Sequence, residues 1–363
     1  MSSFNAPSSV AGAYVRAARS YLRQKARVRE QIRAANSAPA AIAQRLQLVR
    51  EHGDFSLAYT TAVQAGLKYF GDNRGYIAYD GRMGYTFVLA DPVGPEPDRS
   101  RLIRQLAAQR RRLAFCQISR TTAEIVRELG FYVNEMGVDS IISLAGYDFR
   151  GQERKWLRTA ESWTSRRGYT TREDTTERVG TDRINSVSVA WRATRTVKRK
   201  EVRFLNRPLV ASDEAGTRQF YFFDPDQRLL AFVFFDPIYR DGRLIGYVAC
   251  SKRRHPDAPV YAEQAIMKHA IEVFQREGRQ ELRLGLSPLA WLEDGEFPSS
   301  WLIRKMFQFG FSSRVINRWF YNVQGLAEYK RRYRGREEKV YYATRSPLNL
   351  VQLAALVKTC KIV

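Results

Sequence analysis

The chain has 363 residues, enough for two domains of ordinary size, and its 44% hydrophobic content allows sizeable cores. Sixty Lys+Arg against 37 Asp+Glu give a formal charge of +23, which favours a polyanionic partner, either nucleic acid or an anionic membrane surface. No apolar run approaches the ~20 residues of a bilayer-spanning helix, no secretory signal core is visible, and three scattered cysteines and three scattered histidines exclude a disulfide framework and argue against a metal centre.

A reducing, cytoplasmic setting is expected, with contact at the inner face of the membrane as an option. Residues 1–9 are small and polar and are expected to be disordered. Residues 10–35 are Ala- and Arg-rich and favour helix, with seven Lys/Arg against Glu30 alone. They carry no clean apolar stripe, so a solvated helix and a membrane-surface anchor both fit. Pro39 opens a second helix, which Gly53 ends. The pattern then changes. Residues 75–81 and 84–94 read as two strands joined by a tight turn. An amphipathic basic helix follows over 98–112, a strand over 113–119, a helix over 121–129 and a strand-like run over 130–145.

A long basic helix is predicted over 150–172, ended by Gly168, and another helix rich in Arg and Lys within 183–210. Residues 220–251 read as three strands separated by Asp-Pro-Asp and Arg-Asp-Gly turns. A helix over 261–277 places Ile266, Ala270, Val273 and Phe274 on one side, and a strand covers 281–286. From Trp301 to Arg345 eleven Lys/Arg and three Glu are interleaved with Trp319, Tyr321, Tyr329, Tyr333 and Tyr341. Basic groups suit phosphates and aromatics suit unpaired bases, although Trp319, Tyr321 and Tyr329 read mostly as core. The element order gives an α/β fold of two tandem modules: a helical region over 1–53, then modules over 54–175 and 176–363.

Three motifs carry a family resemblance: ADPVGPE (90–96), LGLSPL (284–289) and FYNVQGLAEYKRRY (320–333). In order and spacing they resemble the soluble synthase domain of the phosphatidylglycerol lysyltransferases, over roughly residues 65–345. The resemblance implies two tandem modules of the GCN5-related acetyltransferase type. It also implies transfer of an amino acid from its tRNA to a lipid hydroxyl. Two departures stand out. Where the family has Asp-Leu-Met-Arg, this chain has Cys250-Ser251-Lys252-Arg253, which keeps the Arg and loses the acid. A second family acid has only Glu293 and Glu296 as nearby candidates, so the amino acid carried is expected to differ. The family's membrane-embedded part has no counterpart in these residues, so the expected acceptor is a lipid reached from the surface or a soluble small molecule.

An aminoacyl-tRNA is itself an activated ester, so no cofactor beyond this co-substrate is expected. Positioning and a base of pKa near 7 would supply the rate. The candidates for catalysis are Arg253, His255, Asp257 and Ser287. Those for substrate binding are Cys250, Arg254, Gly285, Tyr321 and Gly325. Lys330, Arg331, Arg332 and Arg334 are the candidates for tRNA phosphates. Each has a plainer alternative: Asp257 as a helix cap, His255 and the arginines as solvated loop residues, Cys250 as packed core, Ser287 as a turn. The loop from Cys250 to Tyr261 has no glycine, which disfavours an acyl-CoA donor, since a pyrophosphate needs close backbone approach. An acyl-CoA or acyl-carrier N-acyltransferase and a non-catalytic RNA- or membrane-binding module are the rival readings.

Overall fold

The computed structural model describes residues 39–194, 201–293, 296–319, 322–347 and 350–361. The basic helix expected over 10–35 lies outside them. The first half runs α1 (Pro39–His52), α2 (Ala58–Val63), β1 (Lys68–Asp72), β2 (Gly75–Arg82), β3 (Tyr85–Leu89), α3 (Glu96–Gln109), β4 (Leu113–Ile118), α4 (Arg120–Glu128) and β5 (Tyr132–Ser143). Next come α5 (Lys155–Ser165), β6 (Thr170–Glu173), α6 (Thr176–Val179), α7 (Thr181–Ala193), β7 (Arg218–Phe223), β8 (Leu229–Arg240), β9 (Arg243–Arg254), α8 (Ala262–Arg276) and β10 (Glu281–Pro288). The described chain finishes with α9 (Trp301–Ser312), α10 (Arg314–Trp319), α11 (Val323–Arg331), β11 (Arg336–Thr344) and α12 (Leu350–Thr359).

The eleven strands of the described residues join one sheet, in the order β1-β2-β3-β4-β11-β5-β10-β9-β8-β7-β6. Two connections repeat along it. In the first half an antiparallel β1-β2-β3 meander is followed by α3 and by β4, parallel to β3. In the second, the β7-β8-β9 meander is followed by α8 and by β10, parallel to β9. This repeat gives two tandem acetyltransferase-like modules. The strand that should close each module is exchanged: β11 lies between β4 and β5, and β5 pairs with β10. The sheet is therefore continuous across the expected boundary near 175.

Both sides of the sheet are covered, so the strands are apolar throughout rather than alternating. In β7, Phe220 and Phe222 face α8 while Tyr221 and Phe223 face α7. In β2 and β3, Ala78 and Phe87 join a core shared with α1 and α12, and Ile77 and Val88 join one shared with α3 and α4.

Two predicted helices are shorter than expected. The one over 150–172 begins at Lys155 and stops at Ser165, because Gly168 takes a left-handed turn (φ 76°) that redirects the chain into β6. The one within 183–210 ends at Ala193, and the described residues 201–210 are irregular. The Glu201 carboxylate holds that segment in place by accepting from Leu209 N, Arg253 and Arg192.

Candidate active site

β9 and β10 pair over three positions only, from Gly246–Glu281 to Val248–Arg283. Beyond them β9 continues to Arg254 paired with β8, while β10 bulges and then follows β5 to Pro288. A wedge opens between the two strands. The paired stretch begins at Gly246, where a Cβ would stand 2.0 Å from Glu281 O, and the apex follows at Val248 and Arg283. The bulge is built on Gly285, whose left-handed backbone (φ 74°) suits glycine alone at little cost. Carbonyls on the wedge side of β10 leave the ladder there and need another donor.

Lys330 supplies it. Its Nζ donates to Gly285 O and Leu286 O, both at 2.7 Å, and the residue is only 4% exposed. The sequence of α11 explains the placement. Val323, Ala327 and Lys330 are its buried residues, spaced i, i+4, i+7 on one side of the helix. The Asn322 carboxamide caps the helix by accepting from Gly325 N at 2.8 Å. Burial, and then the neighbouring Lys252 charge, push the Lys330 ammonium down to about 7, against the pull of Asp139 and Glu263.

Lys252, near the free end of β9, donates to Glu263 at 2.8 Å and lies 4.4 Å from the centre of the Tyr329 ring. Burial works against the charge of Glu263, but Lys252, Tyr329 and Arg254 outweigh it and hold the carboxyl below its ordinary range. Tyr329 and Tyr333 share a 2.7 Å hydrogen bond between hydroxyls, and Trp156 stands edge-on to Tyr333 at 4.9 Å. Behind β10, Asp139 accepts from the Ser56 hydroxyl, and burial raises its carboxyl despite the charges of Arg283 and Lys330. The wedge thus gathers two lysines and a carboxylate against an aromatic wall. Ser287 Oγ and Trp156 Nε1 are buried beside it without a hydrogen-bond partner among the described residues.

The sequence-predicted residues separate into three groups. Gly285, Ser287 and Arg254 belong to the wedge strands; Arg254 also donates to Pro259 O at 3.3 Å. Lys330 was expected on an open phosphate-binding side and is instead buried in the wedge, because its position in α11 points it at the sheet. Arg331, Arg332 and Arg334 are exposed: Arg332 stacks 4.2 Å from the Trp156 ring, Arg331 lies 5.2 Å from Trp291, and Arg334 pairs with Glu153 at 2.9 Å.

The third group faces elsewhere or serves local structure. Arg253 points to the other side of the sheet, 8% exposed, paired with Glu201 at 2.9 Å and 4.1 Å from the Trp191 ring. His255 and Asp257 form a loop network with Arg228, which donates to Asp257 at 2.9 Å. Cys250 donates to Phe234 O at 3.3 Å, and burial, reinforced by Asp236, raises its thiol well above the usual range, so it is no thiolate. Gly325 serves the α11 cap, where a Cβ would stand 2.5 Å from the Asn322 side chain. Tyr321 lies outside the described residues. Sequence reasoning missed Glu263 and Asp139, which carry no motif of their own, and passed over Lys252 within the Cys250–Arg253 stretch.

Residues 46–344 match the family described as phosphatidylglycerol lysyltransferase, C-terminal. An uncharacterized protein of Corynebacterium glutamicum is 21% identical over 306 residues, which is 80% of this chain and 37% of that protein. Two solved structures are similar in fold. One is the C-terminal domain of a putative lysylphosphatidylglycerol synthetase from Agrobacterium fabrum, with 20% identity and TM-score 0.70 over 88% of this chain and 95% of that one. The other is L-PGS from Bacillus licheniformis, with 19% identity and TM-score 0.72 over 89% and 97%.

Proposed function

Because the chain belongs to the C-terminal family of phosphatidylglycerol lysyltransferases, we propose that it is a transferase moving an amino acid from a charged tRNA to a hydroxyl of a phosphatidylglycerol-like lipid, with Lys330 as the proton-transfer group. The observation that carries this reading is a buried amine of pKa about 7 set between two carbonyls in the wedge. A neutral amine has two N–H donors. Gly285 O and Leu286 O take both, which leaves the lone pair free for an incoming proton.

The acceptor oxygen attacks the ester carbonyl carbon while its proton passes to Lys330. The tetrahedral intermediate then collapses, the bond to the ribose oxygen of the tRNA breaks, and that oxygen takes the proton from the Lys330 ammonium. One ester replaces another, so aminoacyl-tRNA is the co-substrate and no cofactor is needed. Exposed Arg331, Arg332 and Arg334, beside the wedge on and just after α11, suit the phosphates of the tRNA end. A lipid acceptor puts the reaction at a membrane surface.

The test is transfer of radiolabel from charged tRNA, one amino acid at a time, into extracted lipid, with an RNase-treated control. Label in lipid that RNase abolishes, falling by about 10²–10⁴ in Lys330→Met, is the expected result. Label leaving tRNA for the aqueous phase would replace the lipid by a soluble hydroxyl acceptor. Failure of every amino acid to leave tRNA with folded protein would sink the tRNA reading.

A further inference from the structure

α9 buries Ile303 and Gly310 and turns its opposite side to solvent. On that side Trp301 and Phe309 are each 65% exposed, and Met306 on the flank is 37% exposed. Trp301, Lys305 and Phe309 recur every four residues and therefore share one side of the helix, with Lys305 exposed between the two aromatics. The start of α9 is tied to the segment that leads into α12: Ser300 Oγ caps α9 by accepting from Ile303 N and also donates to Pro347 O. α12 opens on exposed Leu350 and Val351 and ends beside exposed Lys358 and Lys361.

These side chains are not spare core. Ile303, Phe307, Ala355 and Leu356 from the same two helices already fill the core below. Single exposed apolar residues need no explanation, but a row along α9 together with the exposed start of α12 does. Helices that lie in a bilayer interface combine aromatic and aliphatic residues on one side with basic residues near them. The inner edge of α9 also abuts the wedge strand: a Cβ on Gly310 would stand 2.9 Å from Leu289 Cδ1, and Leu289 follows the last residue of β10.

We propose that the outer side of α9, with the first turn of α12, docks this protein on an anionic phospholipid bilayer. Trp301 and Phe309 enter the interface and Lys305 meets headgroup phosphates. Charge decides among the candidate occupants. A second copy of a chain carrying +23 is repelled, whereas an anionic surface attracts it. RNA phosphates offer Met306, Leu350 and Val351 no apolar partner. The proposal rests on the transfer reading above, because it supplies the surface from which a lipid acceptor would be taken.

The experiment is co-sedimentation of the full chain with vesicles of phosphatidylcholine alone and of phosphatidylcholine with phosphatidylglycerol. It compares wild type, Trp301→Ser/Phe309→Ser and Lys305→Glu. The basic segment 1–38 is common to all three, so its contribution cancels. Wild type is expected to prefer the anionic vesicles. The double variant is expected to lose about tenfold or more in affinity, and Lys305→Glu to weaken binding at low salt more than at high salt. Thermal unfolding of each variant checks that these exposed substitutions leave the fold intact. Transfer to a short-chain, water-soluble phosphatidylglycerol should be unchanged in the variants while transfer to vesicle lipid falls.

Vesicle binding by the double variant equal to wild type overturns the docking site. So does a wild-type dimer broken by the double variant, or tRNA affinity lost in it with vesicle binding intact. Absence of transfer to the short-chain lipid, with vesicle binding lost in the double variant, supports the docking side and overturns the transfer reading alone.

Discussion

A lysine ammonium taken out of water gives up hydration that two carbonyls replace only in part, and a second lysine nearby makes the charged form worse. Lys330 meets both conditions. Lys252→Met would remove the second cation, so the Lys330 pKa should rise and the pH–rate inflection should move above 7. A transfer assay from pH 6 to 9 checks this, and an unmoved inflection would remove Lys330 as the titrating group. Stability carries the same signature. Between pH about 7 and the ordinary 10.5 the unfolded chain holds the lysine proton and the folded one does not. Wild-type stability should therefore rise with pH relative to Lys330→Met, by up to about 1.4 kcal/mol per pH unit inside that window. Urea midpoints at pH 7, 8 and 9 measure the difference. The clue lay in the sequence: Val323, Ala327 and Lys330 continue one helical stripe. A run of three adjacent basic residues, Lys330 to Arg332, reads as a solvated side until the stripe is followed through it. Glu263 and Asp139 were not legible, because a carboxylate gains its meaning only from the charges that folding brings around it.

At the level of strands, the wedge exists because β9 and β10 pair briefly and then part. Gly246 permits that brief pairing by leaving Glu281 O unobstructed. Gly246→Ala should cost about 1–3 kcal/mol through overpacking in the short paired stretch and should lower transfer per folded molecule by spreading the strands. Denaturant midpoints, together with activity normalised to folded protein, test both effects. A variant with unchanged midpoint and activity would show that the paired stretch tolerates a methyl group. The strands themselves were readable from apolar runs and turn residues, as in β7, β8 and β9. The helix predicted within 183–210 ends at Ala193 although its Arg-rich composition satisfies helix propensity, because Glu201 anchors residues 201–209 through a local bond from Leu209 N and a long-range one from Arg253. Propensity is blind to such partners.

Over the whole molecule, the two modules were legible as a repeated element order, but the exchange of β5 and β11 was not. Hydrophobic patterning says that a strand is buried and not beside which neighbour. The exchange makes the halves interdependent. Fragments 1–175 and 176–363 produced separately should each remain insoluble or unfolded, and should yield soluble complex when produced together. Circular dichroism and co-purification measure this, and a folded isolated half would show that the exchanged strands are dispensable. The same exchange bears on how the chain is made. β4 and β5 leave the ribosome early, yet the strand that separates them is not synthesised until residues 336–344, which at ordinary translation speeds is roughly 10–40 s later. Through that interval the nascent protein holds two apolar edges with a missing strand between them. Such edges invite foreign pairing, so the yield of active protein should depend on chaperone supply and on the pace of translation over the second half of the message.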